Sequence, residues 1–247
     1  TASDIEDVTS GCAQGSNLGP LIFLIYINDF LRLKLKGKAR LFADDAAITY
    51  STTDIPTLYE YMQIDLCVIE SFLASINLEL STEKTKFMIF ACNNNSNNFP
   101  AFISFNNKSI EKVESFRYLG VIFDQNLNWK LHAKHVISKI TPYVRILSKI
   151  RHYLDKDSLM KIYYSHINSH LTYCLPVWQN VSQDLKSLIQ RIQNKAIKFI
   201  NFLPRLTPTK SLYNEKFLKF SHHITYENIL FIHKIKSGLL RCDLHLI

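Results

Sequence analysis

Two adjacent carboxylates, Asp44 and Asp45, interrupt the otherwise apolar run LFADDAAI at residues 41–48. An ionised carboxylate is costly to bury without a partner, so this pair cannot occupy the middle of a buried strand. On a regular strand the two side chains would point to opposite faces, whereas at a tight turn both can approach one site. The sequence therefore predicts a β-hairpin over residues 39–50 with the two aspartates at its turn.

A hairpin turn that carries two acids is a suitable mount for a hard divalent cation. Mg²⁺ prefers carboxylate oxygens and completes its shell with water and substrate phosphate. Two such ions can hold the attacking and leaving oxygens of a phosphoryl transfer. From these residues alone, the alternative is an exposed Asp-Asp turn that binds nothing.

Charge divides the chain into an acidic and a basic part. Residues 1–100 hold seven Lys/Arg and twelve Asp/Glu, a net charge of −5, and residues 101–247 hold twenty-two and nine, a net charge of +13. This order suggests cation binding followed by polyanion binding, with solvated helix faces as the alternative. The five cysteines form no C-x-x-C pair, which disfavours a disulfide framework and a zinc cluster and fits an intracellular, reducing compartment. No apolar stretch is long enough to span a membrane.

Hydrophobic periodicity predicts an α+β part followed by a helical part, with a boundary near residue 128. In the first part we expect a mostly buried helix over residues 21–36, the hairpin, a helix that begins near Pro56, and strands in KTKFMIF, AFISF and FRYLGVIFD. In the second part we expect helices over about 129–152, with a kink at Pro142, and over 157–180 and 184–202.

Four segments occur in a characteristic order: GCAQGSNLGPLIFLIYINDF (11–30), LFADDAAI (41–48), LELSTEKTKFMIF (78–90) and FRYLGVIFDQNLNW (116–129). They resemble the Q-G, F-A-D-D, K-T and Y-L-G motifs of the reverse transcriptases of non-LTR retrotransposons, most of all the jockey type. LTYCLPVW and IQRIQNKAIKFI resemble the distal helical region of the same family, so the resemblance covers nearly the whole chain.

The resemblance implies a fold and a set of residue roles. Residues 1–128 would be a partial polymerase palm, and residues 129–247 a basic thumb with a distal helical region. Asp44 would be the principal ligand of the catalytic Mg²⁺, of which the intact enzymes use two ions, and Asp45 its weaker neighbour. Lys84 would protonate the departing pyrophosphate, with Lys86 as a neighbour that is easily mistaken for it.

The remaining implied roles concern nucleic acid. Gln14 and Gly15 match the pair that lies against the template and the nascent base pair. The turn formed by Tyr118, Leu119 and Gly120 would support the primer end. Backbone phosphates would be contacted by basic residues of the first thumb helix: Lys130, Lys134, Lys139, Arg145 and Lys149.

Aromatic residues and histidines of the second part have two interpretations. Tyr163, Tyr164, Tyr173 and Trp178 either stack on bases or, as their helical spacing favours, belong to the core. His166 and His170 are spaced four residues apart, but no Glu or Cys completes a zinc ligand set, which favours surface or core histidines.

The resemblance implies an RNA-directed DNA polymerase that acts on an RNA template, a DNA primer and deoxynucleoside triphosphates, without a membrane. The family's first palm aspartate precedes the Q-G turn on a separate strand, and Asp4, Glu6 and Asp7 follow no apolar strand. We therefore expect the chain alone to be inactive and to need an upstream palm and fingers segment as its partner. The alternatives are a non-catalytic nucleic-acid-binding module and a degenerate retroelement remnant.

Overall fold

The computed structural model describes residues 15–90, 102–105, 108–213 and 216–240 of the 247-residue chain. The chain divides into two compact units, of which the first ends at Val113 and the second begins at Glu114. Both helices and small sheets are present, which confirms the α+β class expected from the sequence.

The first unit contains two helices and two small sheets. Its elements are α1 (Gly19–Ile27), a 3₁₀ turn (Asn28–Arg32), β1 (Lys38–Phe42), β2 (Asp45–Thr49), α2 (Ile55–Ser75), β3 (Lys86–Phe87), β4 (Phe102–Phe105) and β5 (Lys108–Lys112). β1 and β2 pair antiparallel, and the second sheet has the order β3-β5-β4, with β3 parallel and β4 antiparallel to β5.

Two small apolar clusters form the interior of the first unit. Ile69 and Leu73 of α2 pack with Ile27 and Phe30, and this cluster also contacts the hairpin through its inward-facing side chains. A second cluster is formed by Phe87, Ile103, Phe105 and Ile110 of the three-stranded sheet. α2 contributes to both clusters, so its apolar stripe holds the hairpin and the sheet in one unit.

The expectation of a mostly buried helix over residues 21–36 is wrong in extent and in burial. α1 ends at Ile27, and Ile27 is its only buried residue. Side chains around the rest of the helix are exposed, namely Leu21, Ile22, Leu24, Ile25 and Tyr26. An apolar helix is buried only when neighbours cover all its sides, and the described part of this unit covers one side of α1.

The second unit is mainly helical. Its elements are β6 (Ser115–Tyr118), β7 (Val121–Asp124), α3 (Lys130–Ile150), α4 (Lys156–Tyr163), a π-helical turn (Tyr164–Asn168), α5 (Ser169–Thr172), α6 (Leu175–Trp178), α7 (Gln183–Ile200), a 3₁₀ turn (Thr209–Leu212) and α8 (Phe220–Lys236). α3 runs through Pro142 as one helix. The segment expected as one helix over 157–180 is instead divided, because Cys174 has a left-handed φ of 49° and Pro176 lies in the first turn of the new helix α6.

One continuous core joins the β6–β7 hairpin to these helices. Val121 and Trp129 share it with Trp178, which is fully buried. The buried carboxylate of Asp124 shapes the loop before α3, because it accepts hydrogen bonds from the backbone N–H groups of Asn126, Asn128 and Trp129 at 3.0–3.2 Å. The Y-L-G hairpin therefore belongs to the second unit, and the unit boundary lies at Val113 rather than near residue 128.

None of the helices in the described ranges is both long and apolar enough to cross a bilayer.

Candidate active site

The predicted hairpin is confirmed, and its turn carries the two aspartates. The strands pair from Lys38 opposite Thr49 to Phe42 opposite Asp45, which leaves Ala43 and Asp44 as a two-residue turn. Asp44 thus lies in the turn itself and Asp45 is the first residue of β2, and both side chains are exposed. Ala43 has a φ of 52°, a left-handed conformation that costs a non-glycine residue about 1–2 kcal/mol. The turn is therefore held in a shape that its own residues do not favour.

The base of the hairpin is fixed by Asp65, a fully buried residue of α2. One carboxylate oxygen accepts the backbone N–H of Lys36 at 2.8 Å, and the other accepts that of Gly37 at 2.9 Å. On the far side of the hairpin, Tyr50 has its pKa raised, chiefly by burial and further by the charge of Asp65 and a hydrogen bond to it. Asp65 thus contacts the chain both before β1 and after β2.

Gly37 is required at the point where the chain enters β1. A Cβ atom there would lie 2.5 Å from Cγ2 of Ile48 and 2.6 Å from Cε1 of Tyr50. Because a side chain does not fit at this distance, only glycine lets the chain pass Ile48 and Tyr50 here while its N–H bonds to Asp65.

The two aspartates present unused oxygen ligands. Across the described ranges, neither carboxylate forms a hydrogen bond or an ion pair. Exposed carboxylate oxygens without a cation partner are the donors that Mg²⁺ prefers, so the pair fits a hard cation as part of its shell. No group of three or more His, Cys, Asp or Glu side chains in the described parts is arranged to hold a metal ion. The remaining ligands would therefore be water, substrate phosphate or residues outside these parts.

The structure separates the two lysines of the K-T motif. Lys84 is exposed in the turn before β3, where its backbone N–H donates to the carbonyl oxygen of Ser81 at 3.2 Å. Lys86 lies in β3, and its Nζ forms an ion pair with Oε2 of Glu111 at 2.9 Å. Of the two, Lys84 is the ammonium group that no carboxylate engages among the described residues. Within those ranges Lys84 forms no hydrogen bond or ion pair with the hairpin turn either, so its role stays a prediction.

The Q-G motif is only partly described. Gly15 is exposed, has a φ of 84°, and has no atom within 4 Å of the position that a Cβ would take. A positive φ favours glycine, and the open space leaves room for a ligand to approach the backbone. Gln14 lies outside the described residues.

The Y-L-G segment forms the tight turn between β6 and β7. Leu119 and Gly120 have φ values of 45° and 81°, typical of the two-residue turns that join antiparallel strands. The hydroxyl of Tyr173 donates to the carbonyl oxygen of Leu119 at 2.7 Å. A Cβ on Gly120 would lie 3.3 Å from Cε1 of Tyr173. The turn is thus attached to the helical part through Tyr173, a residue that the motif did not single out for this position.

The five basic residues predicted to contact the backbone of nucleic acid are all exposed on α3. At 3.6 residues per turn, four of them share one side of the helix, and we call these four the basic stripe: Lys130, Lys134, Arg145 and Lys149. Lys139 lies on a different side. No described carboxylate forms an ion pair with any of the five.

Of the four aromatic residues considered for base stacking, two are buried and two are exposed. Tyr163 and Trp178 are core residues, as their helical spacing favours. Tyr164 and Tyr173 are exposed, but their hydroxyls donate to backbone carbonyl oxygens of Lys216 and Leu119. None of the four is thereby assigned to base stacking.

Asp65 is the functional residue that motif reading missed. It lies within the apolar stripe of α2, one turn from Tyr61 and Ile69, and this position was its available signal. A carboxylate on a buried helix face must have hydrogen-bond donors, and here the donors belong to the chain that leads into the hairpin.

Comparison with known proteins identifies this arrangement. A family model described as reverse transcriptase (RNA-dependent DNA polymerase) matches residues 5–123. Residues 5–123 belong to the reverse transcriptase family. The matched segment includes the Q-G turn, the aspartate hairpin and the K-T turn, and it ends in β7.

The similarity to curated reverse transcriptases extends further along the chain. A probable RNA-directed DNA polymerase from transposon X-element of Drosophila melanogaster is 24% identical over 203 residues, 79% of this chain and 22% of that protein. The RNA-directed DNA polymerase from mobile element jockey of the same species is 23% identical over 220 residues, 85% of this chain and 24% of that protein. The chain is thus similar to reverse transcriptases of the jockey type, and it spans less than a quarter of the length of these two relatives. No solved structure matches it.

Proposed function

We propose that this chain is the palm and thumb portion of an RNA-directed DNA polymerase, in which the aspartate hairpin binds Mg²⁺. The observation that carries the proposal is the hairpin itself. The F-A-D-D motif folds into a two-residue turn that leaves two adjacent carboxylates exposed and without a cation partner in the described ranges. Such a site is suited to holding a hard cation against substrate phosphates.

In this proposal different residues of the chain have different roles in nucleotide addition. Asp44 and Asp45 hold the cation, and when bound it would neutralise charge on the nucleotide phosphates. Lys84 donates a proton to the departing pyrophosphate, as a positioned acid beside a leaving phosphate does. Gly15 lets the template and nascent base pair approach the backbone closely. The Y-L-G turn supports the primer end.

The basic stripe of α3 contacts the phosphate backbone of an RNA template and DNA primer. Its four side chains are exposed and engage no described carboxylate. Lys and Arg contacts of this kind are sequence-independent and weaken with salt, as a moving polymerase requires.

We further propose that the chain acts together with an upstream palm and fingers segment and is inactive by itself. The exposed apolar surface of α1 supports this, since isolated soluble domains rarely leave such a continuous patch uncovered. The length difference from the relatives is consistent with it, because they extend far beyond the matched region.

Primer extension tests the proposal. The chain is assayed on poly(rA)/oligo(dT) with deoxythymidine triphosphate, alone and fused behind the upstream polymerase segment of the Drosophila melanogaster jockey protein. We expect no extension by the chain alone, extension by the fusion with Mg²⁺, and loss of extension when the metal is removed with a chelator. Extension by the fusion that is unaffected by the chelator would contradict the proposed chemistry.

A second candidate function is a non-catalytic nucleic-acid-binding module. It is favoured by the charge of the second unit, which holds twenty Lys/Arg and eight Asp/Glu, a net charge of +12. Filter binding of the full chain to RNA–DNA duplex, steeply weakened by salt and unchanged in Asp44→Ala, together with an inactive fusion, would favour this candidate.

A further inference from the structure

Three elements of the second unit bring cationic side chains together on one surface. Arg117 of β6 lies opposite Ile122 of β7, and the N–H of Ile122 donates to Nδ1 of His132 on α3 at 3.3 Å. His135 follows His132 by one turn, and Lys139 follows His135 by another. The row therefore passes from the edge of the hairpin onto α3.

The row continues onto the next helical segment through a ring contact. Tyr143, one turn beyond Lys139, stacks on His166 of the π-helical turn with ring centroids 4.4 Å apart and planes within 9°. His170 of α5 lies one turn beyond His166. We call Arg117, His135, Lys139, His166 and His170 the histidine cluster; Arg117, Lys139 and His166 are exposed, and His135 and His170 are half-buried.

Among the described residues, no carboxylate balances the positive charges that act on His135 and His170. The pKa of His135 is lowered first by partial burial and then by Arg117, Lys139 and His170. The pKa of His170 is lowered first by partial burial and then by Lys139 and His166. Among the described residues, every charged group that lowers the pKa of these two imidazoles is cationic, and these groups lie on β6, on α3 and on the segment that carries His166.

His132, which also lies beside the cluster, does not change this balance. His132 is buried, its Nδ1 accepts a backbone hydrogen bond, and burial lowers its pKa to about 4. It therefore stays neutral in the range where ordinary histidines titrate. Five basic groups thus converge, and no carboxylate in the part of the chain that the structure describes acts on the two half-buried imidazoles. An anion would remove their mutual repulsion.

We propose that the histidine cluster binds phosphate groups of a nucleic-acid backbone and that His135 and His170 take up protons when it does. The choice of nucleic acid as ligand rests on the proposed function, whereas the phosphate chemistry rests on the cluster. A protonated imidazole donates N–H to a phosphate oxygen and adds a positive charge, so affinity rises as pH falls. The cluster is separate from the basic stripe, whose Lys and Arg charges do not change with pH in this range.

The test measures binding of the full chain to a fluorescent RNA–DNA duplex by anisotropy at constant ionic strength. We compare the wild type, H135Q/H170Q, and the control H222Q/H233Q, which makes the same change at two exposed histidines of α8. One ion contact is worth about 1 kcal/mol, a factor of roughly five in affinity. We therefore expect the wild type to bind the duplex roughly tenfold or more tightly at about pH 5.5 than at about pH 7.5. The control keeps this pH dependence and H135Q/H170Q loses most of it. Equal pH dependence in all three proteins overturns the proposal.

A fixed-charge variant separates the cluster from a purely structural role. H135K/H170K carries both charges at every pH tested, so we expect tight binding at neutral pH with little pH dependence. In contrast, K134Q/R145Q/K149Q should weaken binding equally at each pH. If H135K/H170K, shown by circular dichroism to be folded, binds no better than the wild type at neutral pH, the cluster does not contact phosphate.

Two further outcomes separate the ligand from the proposed function. If the wild type binds no duplex at low salt at any pH, the nucleic-acid part of the proposed function fails, and this proposal fails with it. If the wild type binds but the cluster variants behave like the control, only this proposal fails. If inorganic phosphate shifts the imidazole NMR signals of His135 and His170 while duplex binding is independent of pH, the ligand is a free phosphate and the backbone assignment is overturned.

Discussion

At the scale of single residues, the aspartate hairpin depends on a carboxylate that belongs to another element. Asp65 accepts two backbone N–H groups at the entry to β1, and Gly37 allows that approach because it has no side chain. The turn with Asp44 and Asp45 lies at the opposite end of the same two strands. The direction in which the turn points is therefore set from α2.

Replacing Asp65 by Asn tests this dependence. One of the two acceptor oxygens becomes an NH₂ donor that faces a backbone N–H, and the charge is lost. We expect the free energy of unfolding of the first unit to fall by about 2–3 kcal/mol. Amide hydrogen exchange at Gly37 and far-UV circular dichroism in urea measure the change.

The control is Asp29→Asn, which removes an exposed ion pair with Arg32 in the same unit. We expect a change within about 0.5 kcal/mol for this variant. If D65N were as stable as D29N, Asp65 would not hold the hairpin.

At the scale of elements, His132 connects the β6–β7 hairpin with the helices. Its Nδ1 accepts the N–H of Ile122, and its ring lies edge-on to the buried Trp178 with centroids 5.2 Å apart. A hydrogen-bonded Nδ1 must be unprotonated, so the folded unit requires the neutral imidazole. Burial, with His135 and Arg117 as further causes, accordingly lowers the pKa of His132 to about 4.

The second unit should therefore lose stability in acid. The unfolded state of His132 binds a proton below its ordinary pKa of about 6.5, whereas the folded state does so only near 4. The contribution is complete above about pH 6.5 and decreases as pH falls, by about 3 kcal/mol at pH 4. Urea unfolding followed by tryptophan fluorescence at several pH values measures this loss.

Asn at position 132 keeps an acceptor near Nδ1 but does not titrate. We expect H132N to reduce the pH dependence without abolishing it, because the buried His223 also has a lowered pKa and contributes with the same sign. The exposed His222 provides the matched control. A pH dependence identical in H132N, H222N and the wild type would contradict this account.

The sequence correctly predicted the elements that are defined by the spacing of neighbouring residues. Its predictions were wrong where the extent or burial of an element depends on contacts with residues far away in the chain. The hairpin and the amphipathic helices α2, α3 and α7 were predicted because spacing alone defines them. The strand expected in KTKFMIF is only Lys86–Phe87, since its length depends on pairing with β5 more than twenty residues away. The exposure of α1 was not predictable from its composition, because burial depends on what packs against a helix.

The same distinction holds within the candidate site. The motifs located Asp44, Asp45, Lys84 and Gly120 by number. The structure places Asp44, Lys84 and Gly120 in turns and Asp45 at the first position of β2. The motifs did not predict the roles of Asp65 and Tyr173, because their contacts join residues 28 to 54 positions apart. The histidine cluster was not predicted for the same reason, since its residues come from β6, α3, the π-helical turn and α5.

At the scale of the whole molecule, the two units have cores of very different size. Among the described residues, the first unit has two clusters of four buried residues each, whereas the second has one continuous cluster of twenty-one. Stability increases with buried apolar area, so the first unit should be the less stable of the two.

Unfolding should therefore occur in two steps. Both tryptophans of the chain, Trp129 and Trp178, lie in the second unit, so their fluorescence reports that unit alone. Far-UV circular dichroism reports both units. We expect the circular dichroism signal to begin its loss at a lower urea concentration than the fluorescence changes. Coincident transitions would mean that the chain unfolds as one cooperative unit.

The central claim is that the hairpin aspartates hold the metal for nucleotide addition, and one comparison tests it directly. Primer extension by the fusion with the jockey upstream segment is measured for the wild type, D44N and D29N. A metal ligand is worth several kcal/mol to a phosphoryl transfer, so we expect D44N to lower the rate by about 100-fold or more. The exposed Asp29 variant should extend primers at the wild-type rate. Extension by D44N at the rate of D29N would contradict the account.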